Sequence, residues 1–380
     1  MKFSTFTLAS ASAFELSAVT PPPTCPDLDK FEICTSKCAS ELNSCKAACD
    51  PEDYSCQSRC DAFALDCNSS CPCGDYCPNG CSGCSNAACE VNEHVLIINH
   101  LQLYDNEAYL LNLATDTLSR ARINGWSSLG TDTEDSCYSF MSGEHWFLGG
   151  YENPRMIAKL NIENCEVKPE QNFLPFSHLD GIWGSCASYN DVTYLCFDED
   201  GVDVYGCSTF DGESQTVISA KSNYAHDWAD MTVFDDKMWV VGGCDPEIYG
   251  CHGETESFDG NSWAVAAAHP SGAIASHLVL SDGYALYTIS GRGGLQQDVF
   301  MFKNNVWTLL GKLTENHADA SFLSSGRIVG EYAYLGENSL EKVKLSETDF
   351  SAINLGSGPD ANLNLYYAAF IAVAGAVCSV

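Results

Sequence analysis

The chain has 380 residues, with 51 Asp and Glu against 18 Lys and Arg, a formal charge of −33. That balance cannot neutralise a run of phosphates, which excludes nucleic acid as a partner and argues against an anionic membrane surface. Hydrophobic residues make up 45%, enough for a packed core, and 22 Cys point to an oxidising compartment.

Residues 1–19 open with Met1-Lys2-Phe3 and run through small residues from Ala9 to Ala13. This is the layout of a signal peptide diluted by Ser and Thr, and a plain N-terminal tail is the competing reading. Pro21-Pro22-Pro23 follows as a stiff spacer.

Residues 20–89 hold 14 of the 22 Cys. Cys-x-x-x-Cys occurs four times, as Cys34/Cys38, Cys45/Cys49, Cys56/Cys60 and Cys67/Cys71, each pair beginning 11 residues after the last. Steps of four and eleven residues both return close to the same face of a helix. The spacing therefore predicts two helices, each with four Cys on one face. Asp50-Pro51-Glu52-Asp53 breaks between them, because Pro51 cannot donate inside a helix and suits a first turn. Folding the helices antiparallel pairs residues symmetric about the Glu52–Asp53 bond. The expected bridges are Cys49–Cys56, Cys45–Cys60, Cys38–Cys67 and Cys34–Cys71. The pattern resembles, in spacing alone, the twin Cys-x-x-x-Cys hairpins of small intermembrane-space chaperones. Beyond it, Cys73, Cys77, Cys81 and Cys84 lie in a turn-rich run that reads as disulfides rather than a zinc site. Asn68-Ser69-Ser70 is a glycosylation sequon.

From residue 90 to 355, short apolar and aromatic runs alternate with Gly, Asn and Asp turns, the pattern of many short strands. Six runs recur: Val95–His100, Trp146–Gly150, Tyr194–Asp198, Trp239–Gly243, Tyr287–Gly291 and Tyr332–Gly336. Their last residues are 45–50 apart, a propeller-type period. Gly149-Gly150 and Gly242-Gly243 end two of the runs, and Trp263 and Trp307 close two copies. His178, His226, His277 and His317 precede the first strand in four copies. This resembles the kelch repeat, which combines a Gly-Gly pair, an aromatic and a Trp at similar offsets. The resemblance implies a six-bladed β-propeller of four-stranded antiparallel blades, and it assigns these His to bracing the turns between blades rather than to a metal. The fold class is thus mainly β, with a disulfide-linked helical hairpin before the propeller. Cys244 and Cys251 bracket one loop and are expected to pair. Cys137 and Cys165 are expected to link two strands of the second blade, and Cys186, Cys196 and Cys207 crowd the third. Asp198, Asp200 and Asp203 share one loop, read as a solvated turn with calcium as the rival.

No Gly-x-Ser-x-Gly, His-Glu-x-x-His or Gly-x-x-x-x-Gly-Lys motif occurs. Some kelch-like propellers are copper oxidases, but their ligand constellation has no match here. The expected function is a secreted, non-catalytic binding or structural protein. Its loop face would meet an unidentified protein with a basic surface, without cofactor or metal. The alternative is a secreted hydrolase or oxidase working in the funnel of the propeller.

Residues 356–380 end in sixteen uncharged residues, from Leu365 to Val380. One reading is a GPI-attachment signal, the one expected route to a membrane. Another makes Ala368–Val373 the strand that closes the ring and Ala376–Val380 a second strand. A third is a disordered end. Even cysteine parity favours keeping Cys378. Peptide mapping without reduction tests the nested hairpin. Fragments joined through Cys34–Cys71 and Cys38–Cys67 are expected, and a Cys34–Cys38 or Cys45–Cys49 link would overturn the scheme.

Overall fold

The computed structural model describes residues 93–99, 107–125, 136–150, 153–170, 174, 185–198, 203–246, 250–292, 296–317, 326–337, 339–356, 365, 368–373 and 377–378. These fall within one compact unit that runs from Asn92 to Val380. The expected signal segment, the expected hairpin with Cys34, Cys38, Cys45, Cys49, Cys56, Cys60, Cys67 and Cys71, and the sequon Asn68 lie outside the described residues, as do His178 and Asp200.

The unit is a six-bladed β-propeller, and every blade is a four-stranded antiparallel sheet. Blade 1 joins β1 (His94–Asn99), β2 (Glu107–Asn112) and β3 (Thr117–Arg122) to the last strand, β24 (Ala368–Val373). Blade 2 is β4 (Cys137–Met141), β5 (Glu144–Leu148), β6 (Ile157–Asn161) and β7 (Glu166–Pro169). Blade 3 is β8 (Ser185–Tyr189), β9 (Val192–Asp198), β10 (Asp203–Phe210) and β11 (Gln215–Val217). Blade 4 is β12 (Asp230–Phe234), β13 (Lys237–Asp245), β14 (Gly250–Phe258) and β15 (Trp263–Val265). Blade 5 is β16 (Leu278–Ser281), β17 (Leu286–Ile289), β18 (Asp298–Lys303) and β19 (Val306–Lys312). Blade 6 is β20 (Gly326–Val329), β21 (Tyr332–Gly336), β22 (Leu340–Lys344) and β23 (Ser351–Gly356). Successive inner strands β4, β8, β12, β16, β20 and β24 are neighbours around the axis.

Each recurring apolar run is the second strand of a blade: β1, β5, β9, β13, β17 and β21. These strands are apolar on both faces because a neighbouring blade covers each face. Seven consecutive residues of β13, Met238 to Cys244, are buried. The cores sit between blades rather than within them. Leu96 and Ile98 face Phe147, Ala158 and Leu160 of blade 2, whereas Val95 and Ile97 face Tyr334 and Leu340 of blade 6. Blade 2 meets blade 3 through Trp146, Leu148, Leu195 and Phe210. Blade 3 meets blade 4 through Tyr194, Met238, Val240 and Phe258. Burying one such large side chain contributes about 1.5–3 kcal/mol.

The ring closes by pairing chain ends. β24 runs antiparallel to β1, from His94 opposite Val373 to Asn99 opposite Ala368. Ala369, Ile371 and Val373 face blade 2, and Ala368 and Phe370 face blade 6, so the strand's two-residue period serves two cores. Val377 and Cys378 form a turn rather than a second strand, and Cys378 is disulfide-bonded to Cys165 of blade 2. The expected Cys137–Cys165 bridge is therefore wrong. Cys137 begins β4, at one end of its sheet, and Cys165 lies in the β6–β7 turn at the other end. Cys137 pairs instead with Cys186 of blade 3. Cys196 pairs with Cys207 and Cys244 with Cys251, each between register partners of a second and third strand.

Cys165–Cys378 closes a stretch of 213 residues. Replacing both with Ser is expected to lower unfolding stability by up to ~5 kcal/mol while the propeller still folds. Truncation before Leu365 is expected to abolish the cooperative transition, because it removes β24. Denaturant unfolding of both variants checks this.

Candidate functional site

The second strands end, and the inner strands begin, on one face of the ring. Leu148, Cys196, Val241 and Ile289 pair with Cys137, Ser185, Asp230 and Leu278, the first residues of their inner strands. The residue after each of the four has left-handed backbone: Gly149 at φ 69°, Phe197 at 65°, Gly242 at 62° and Ser290 at 67°. Glycine meets that demand freely, whereas a bulky residue such as Phe197 is strained there. At Gly242 a Cβ would stand 2.3 Å from the Ile274 carbonyl, and at Gly243 2.8 Å from the His226 backbone. The glycine pair thus lets the loops leading into β12 and β16 press onto β13. In blade 6 the matching residue is Gly336, which follows the Leu335 partner of Gly326; its backbone is not left-handed, and it pairs within the sheet opposite Leu340.

The first residues of the inner strands share a task by different chemistry. Cys137 is disulfide-bonded to Cys186 of the next blade. The Ser185 hydroxyl donates to the Ala229 carbonyl of the next blade. The Asp230 carboxylate accepts from Met231 N at 2.8 Å and from Val279 N of the next blade at 2.7 Å. Leu278 fits against Gly326 of the next blade, where a Cβ would stand 2.4 Å from it. Burial pushes the Asp230 carboxyl up to about 7, against the pull of its two N–H donors. Asp230 is therefore a staple between blades.

The His positions need one correction. His226 N donates to Val204 O of blade 3, His269 N to Gly253 O of blade 4, and His317 N to Gln296 O of blade 5. The residue repeating His226 and His317 in blade 5 is thus His269, not His277. His277 directly precedes β16 and is fully buried. Both nitrogens of His226 face acceptors, Gly242 O at 2.6 Å and Glu256 Oε2 at 3.0 Å. Glu256 also accepts from Asn223 and Tyr224 backbone N–H and from Asn223 Nδ2. His317 repeats this arrangement, with Nε2 2.6 Å from Glu341 Oε2, Nδ1 3.3 Å from Glu337 Oε2, and Thr314 donating to Glu341. Burial works against charge on His317, but the two carboxylates win and raise it to about 9. His269 instead stacks edge-on against Phe300 and Trp307 at 4.7 Å and bonds Thr288. Burial lowers it to about 4, and lowers His277 to about 3.

Trp263 packs on Phe258 and on Phe197 of blade 3, and Trp307 on Phe302, with its indole N–H donating to Ala267 O. At the rim, Trp228 is half-buried with left-handed backbone at φ 63°, and the Arg292 guanidinium lies over its ring at 4.7 Å. Tyr224 is exposed beside His252. Asp198 and Asp203 are register partners at the open end of β9 and β10. Among the described residues no three His, Cys, Asp or Glu gather as a metal site.

These shifts set the pH window of the fold. His269 and His277 are held neutral, so stability falls as pH drops from about 6.5 toward 4. His317 gains stability from its proton, fully present below about 6.5 and lost as pH rises through about 9. His317→Gln removes the cation held between two buried carboxylates and is expected to cost about 3–5 kcal/mol at neutral pH, with a smaller penalty above pH 9. Thermal unfolding from pH 4 to 10 checks both.

No protein-family model matches this chain, and no curated protein matches it. Structural similarity extends to 239 solved chains, so the fold by itself selects no activity. One is described as "Structure of YjhT"; it covers 69% of this chain and 95% of its own, with a TM-score of 0.53 and 14% identity. At that identity the likeness is one of fold, and it places this chain among proteins of propeller architecture.

Proposed function

We propose that this is a secreted binding protein whose kelch-like propeller docks, through its loop face, a protein with a basic surface. The observation that carries the reading is how the titratable groups near that face are engaged. Glu256, Glu341, Asp230, His226 and His317 are buried and hydrogen-bonded within the chain, so they brace the loops rather than wait for a substrate. The rival enzyme reading needs convergent acid and base groups in the funnel. The described inner strands carry only two charged residues, Asp230 and Arg327. The rim offers Trp228 and Tyr224 as aromatic anchors, the residue types that dominate binding energy at interfaces.

Four disulfides among the eight described Cys support an extracellular setting. A retained C-terminus fits better than a GPI signal, because cleavage after about Ser357 would remove both β24 and Cys378. The chain's charge of −33 attracts cations over a distance and gives association a salt dependence.

The test is affinity capture with the purified protein, followed by titration of the purified partner at low and moderate ionic strength. Affinity is expected to fall as salt rises, and Trp228→Ala to weaken binding roughly tenfold or more. Salt-independent binding, or binding untouched by Trp228→Ala, would overturn the reading.

A further inference from the structure

The four described disulfides differ in how a reagent reaches them. Cys137, Cys186, Cys196 and Cys207 are buried, and Cys165 and Cys378 are half-buried. Cys251 alone is exposed, with its partner Cys244 buried behind it. Thiol–disulfide exchange begins with attack on one sulfur, so access decides which bridge opens first. Cys244 and Cys251 are also only 7 residues apart, against 11, 49 and 213 for the other pairs. So short a closure keeps the two thiols close after reduction, and the bond re-forms readily.

This bridge holds the tip of the β13–β14 hairpin. The register shifts between Val241 and Gly243, and beyond the shift the pairs are Gly243–His252, Cys244–Cys251 and Asp245–Gly250. A shift interrupts the ladder, so the tip relies on its own links. Residues 222–229, which lead into β12, are fastened to this tip. Cys244 N donates to Asp227 O at 2.6 Å, His252 Nε2 faces Ala225 O at 2.5 Å, and His226 Nδ1 faces Gly242 O at 2.6 Å. The segment leading into β16 is fastened there too. Gly243 N donates to Ile274 O at 2.8 Å, Ile274 N to His252 O at 3.0 Å, and Ser276 N to Trp228 O at 2.8 Å. The Cys244–Cys251 bond thus underlies the part of the rim that carries Tyr224 and Trp228.

We infer that Cys244–Cys251 is a reversible redox switch for this rim, opened by a dithiol reductant. A thiolate of the dithiol attacks the exposed Cys251 Sγ; the S–S bond breaks, and Cys244 leaves as a thiolate that takes up a proton. The second thiol of the reductant, losing its proton, attacks the mixed disulfide and releases Cys251, which is protonated in turn. The protein gains two electrons and two protons, and the dithiol becomes a cyclic disulfide. The opened tip keeps only its backbone pairs, so residues 222–229 open more often. The effect on binding rests on the loop-face reading proposed above: Tyr224 and Trp228 lose their fixed placement, and a partner docked on them is released.

The test is stepwise reduction of the whole protein with dithiothreitol. Alkylation and mass mapping follow the eight Cys from Cys137 to Cys378, and hydrogen exchange follows residues 222–229. Cys244 and Cys251 are expected to label before the other six. Exchange in 222–229 is expected to rise about tenfold or more, and reoxidation to reverse it. Cys244→Ser with Cys251→Ser is expected to show the fast exchange without reductant, and Cys165→Ser with Cys378→Ser to leave exchange there unchanged. Earlier labelling of another of these pairs overturns the inference. So does exchange in 222–229 that neither reduction nor the Cys244 and Cys251 substitutions move. Equal acceleration in the Cys165 and Cys378 variant overturns it as well, because the loosening would then be global. These readouts need no partner. If the segment loosens while affinity for the captured partner stays the same, the docking reading fails and the switch stands.

Discussion

The structure depends on pairing between β1 and β24, because no blade has a core of its own. Every apolar cluster described above is shared by neighbouring sheets, so a blade is stable only with something on both faces. In an open row the two end blades would each expose an apolar face and an unpaired edge. The hydrogen-bonded register from His94–Val373 to Asn99–Ala368 turns the row into a ring. It also seats Ala369 and Ile371 in one core and Phe370 in the next.

Within the ring, a position is defined by the backbone and the gap it must fill, and only loosely by residue type. The left-handed site after the second strand takes Gly149, Phe197, Gly242 or Ser290. The inter-blade link at the head of the inner strand is a disulfide, a hydroxyl, a carboxylate or a methyl contact. The lead-in histidine is braced by carboxylates in blades 4 and 6 and by Phe300 in blade 5. This explains why a repeat with clear geometry leaves a faint sequence signal.

The six apolar runs were legible because a strand buried on both faces must be apolar throughout, and Ala368–Val373 was legible because it carries no charge and Cys378 restores even parity. The Cys137 partner was not legible, because spacing along the chain does not say which end of a sheet a residue occupies. His269 was missed in favour of His277 because a repeat of 45–50 residues tolerates either; the Phe300–Trp307 pocket that distinguishes them is a three-dimensional fact.

The bond between Cys165 and Cys378 has a topological consequence. Any single backbone cut between these residues leaves both halves covalently attached, because the bridge spans the cut. Exposed turns described in blades 3 to 5, such as residues 213–214, 259–262 and 304–305, fall inside that stretch. In a protease-rich setting the molecule is then a ring that a nick converts into two chains without releasing either, and only reduction would turn the nick into dissociation.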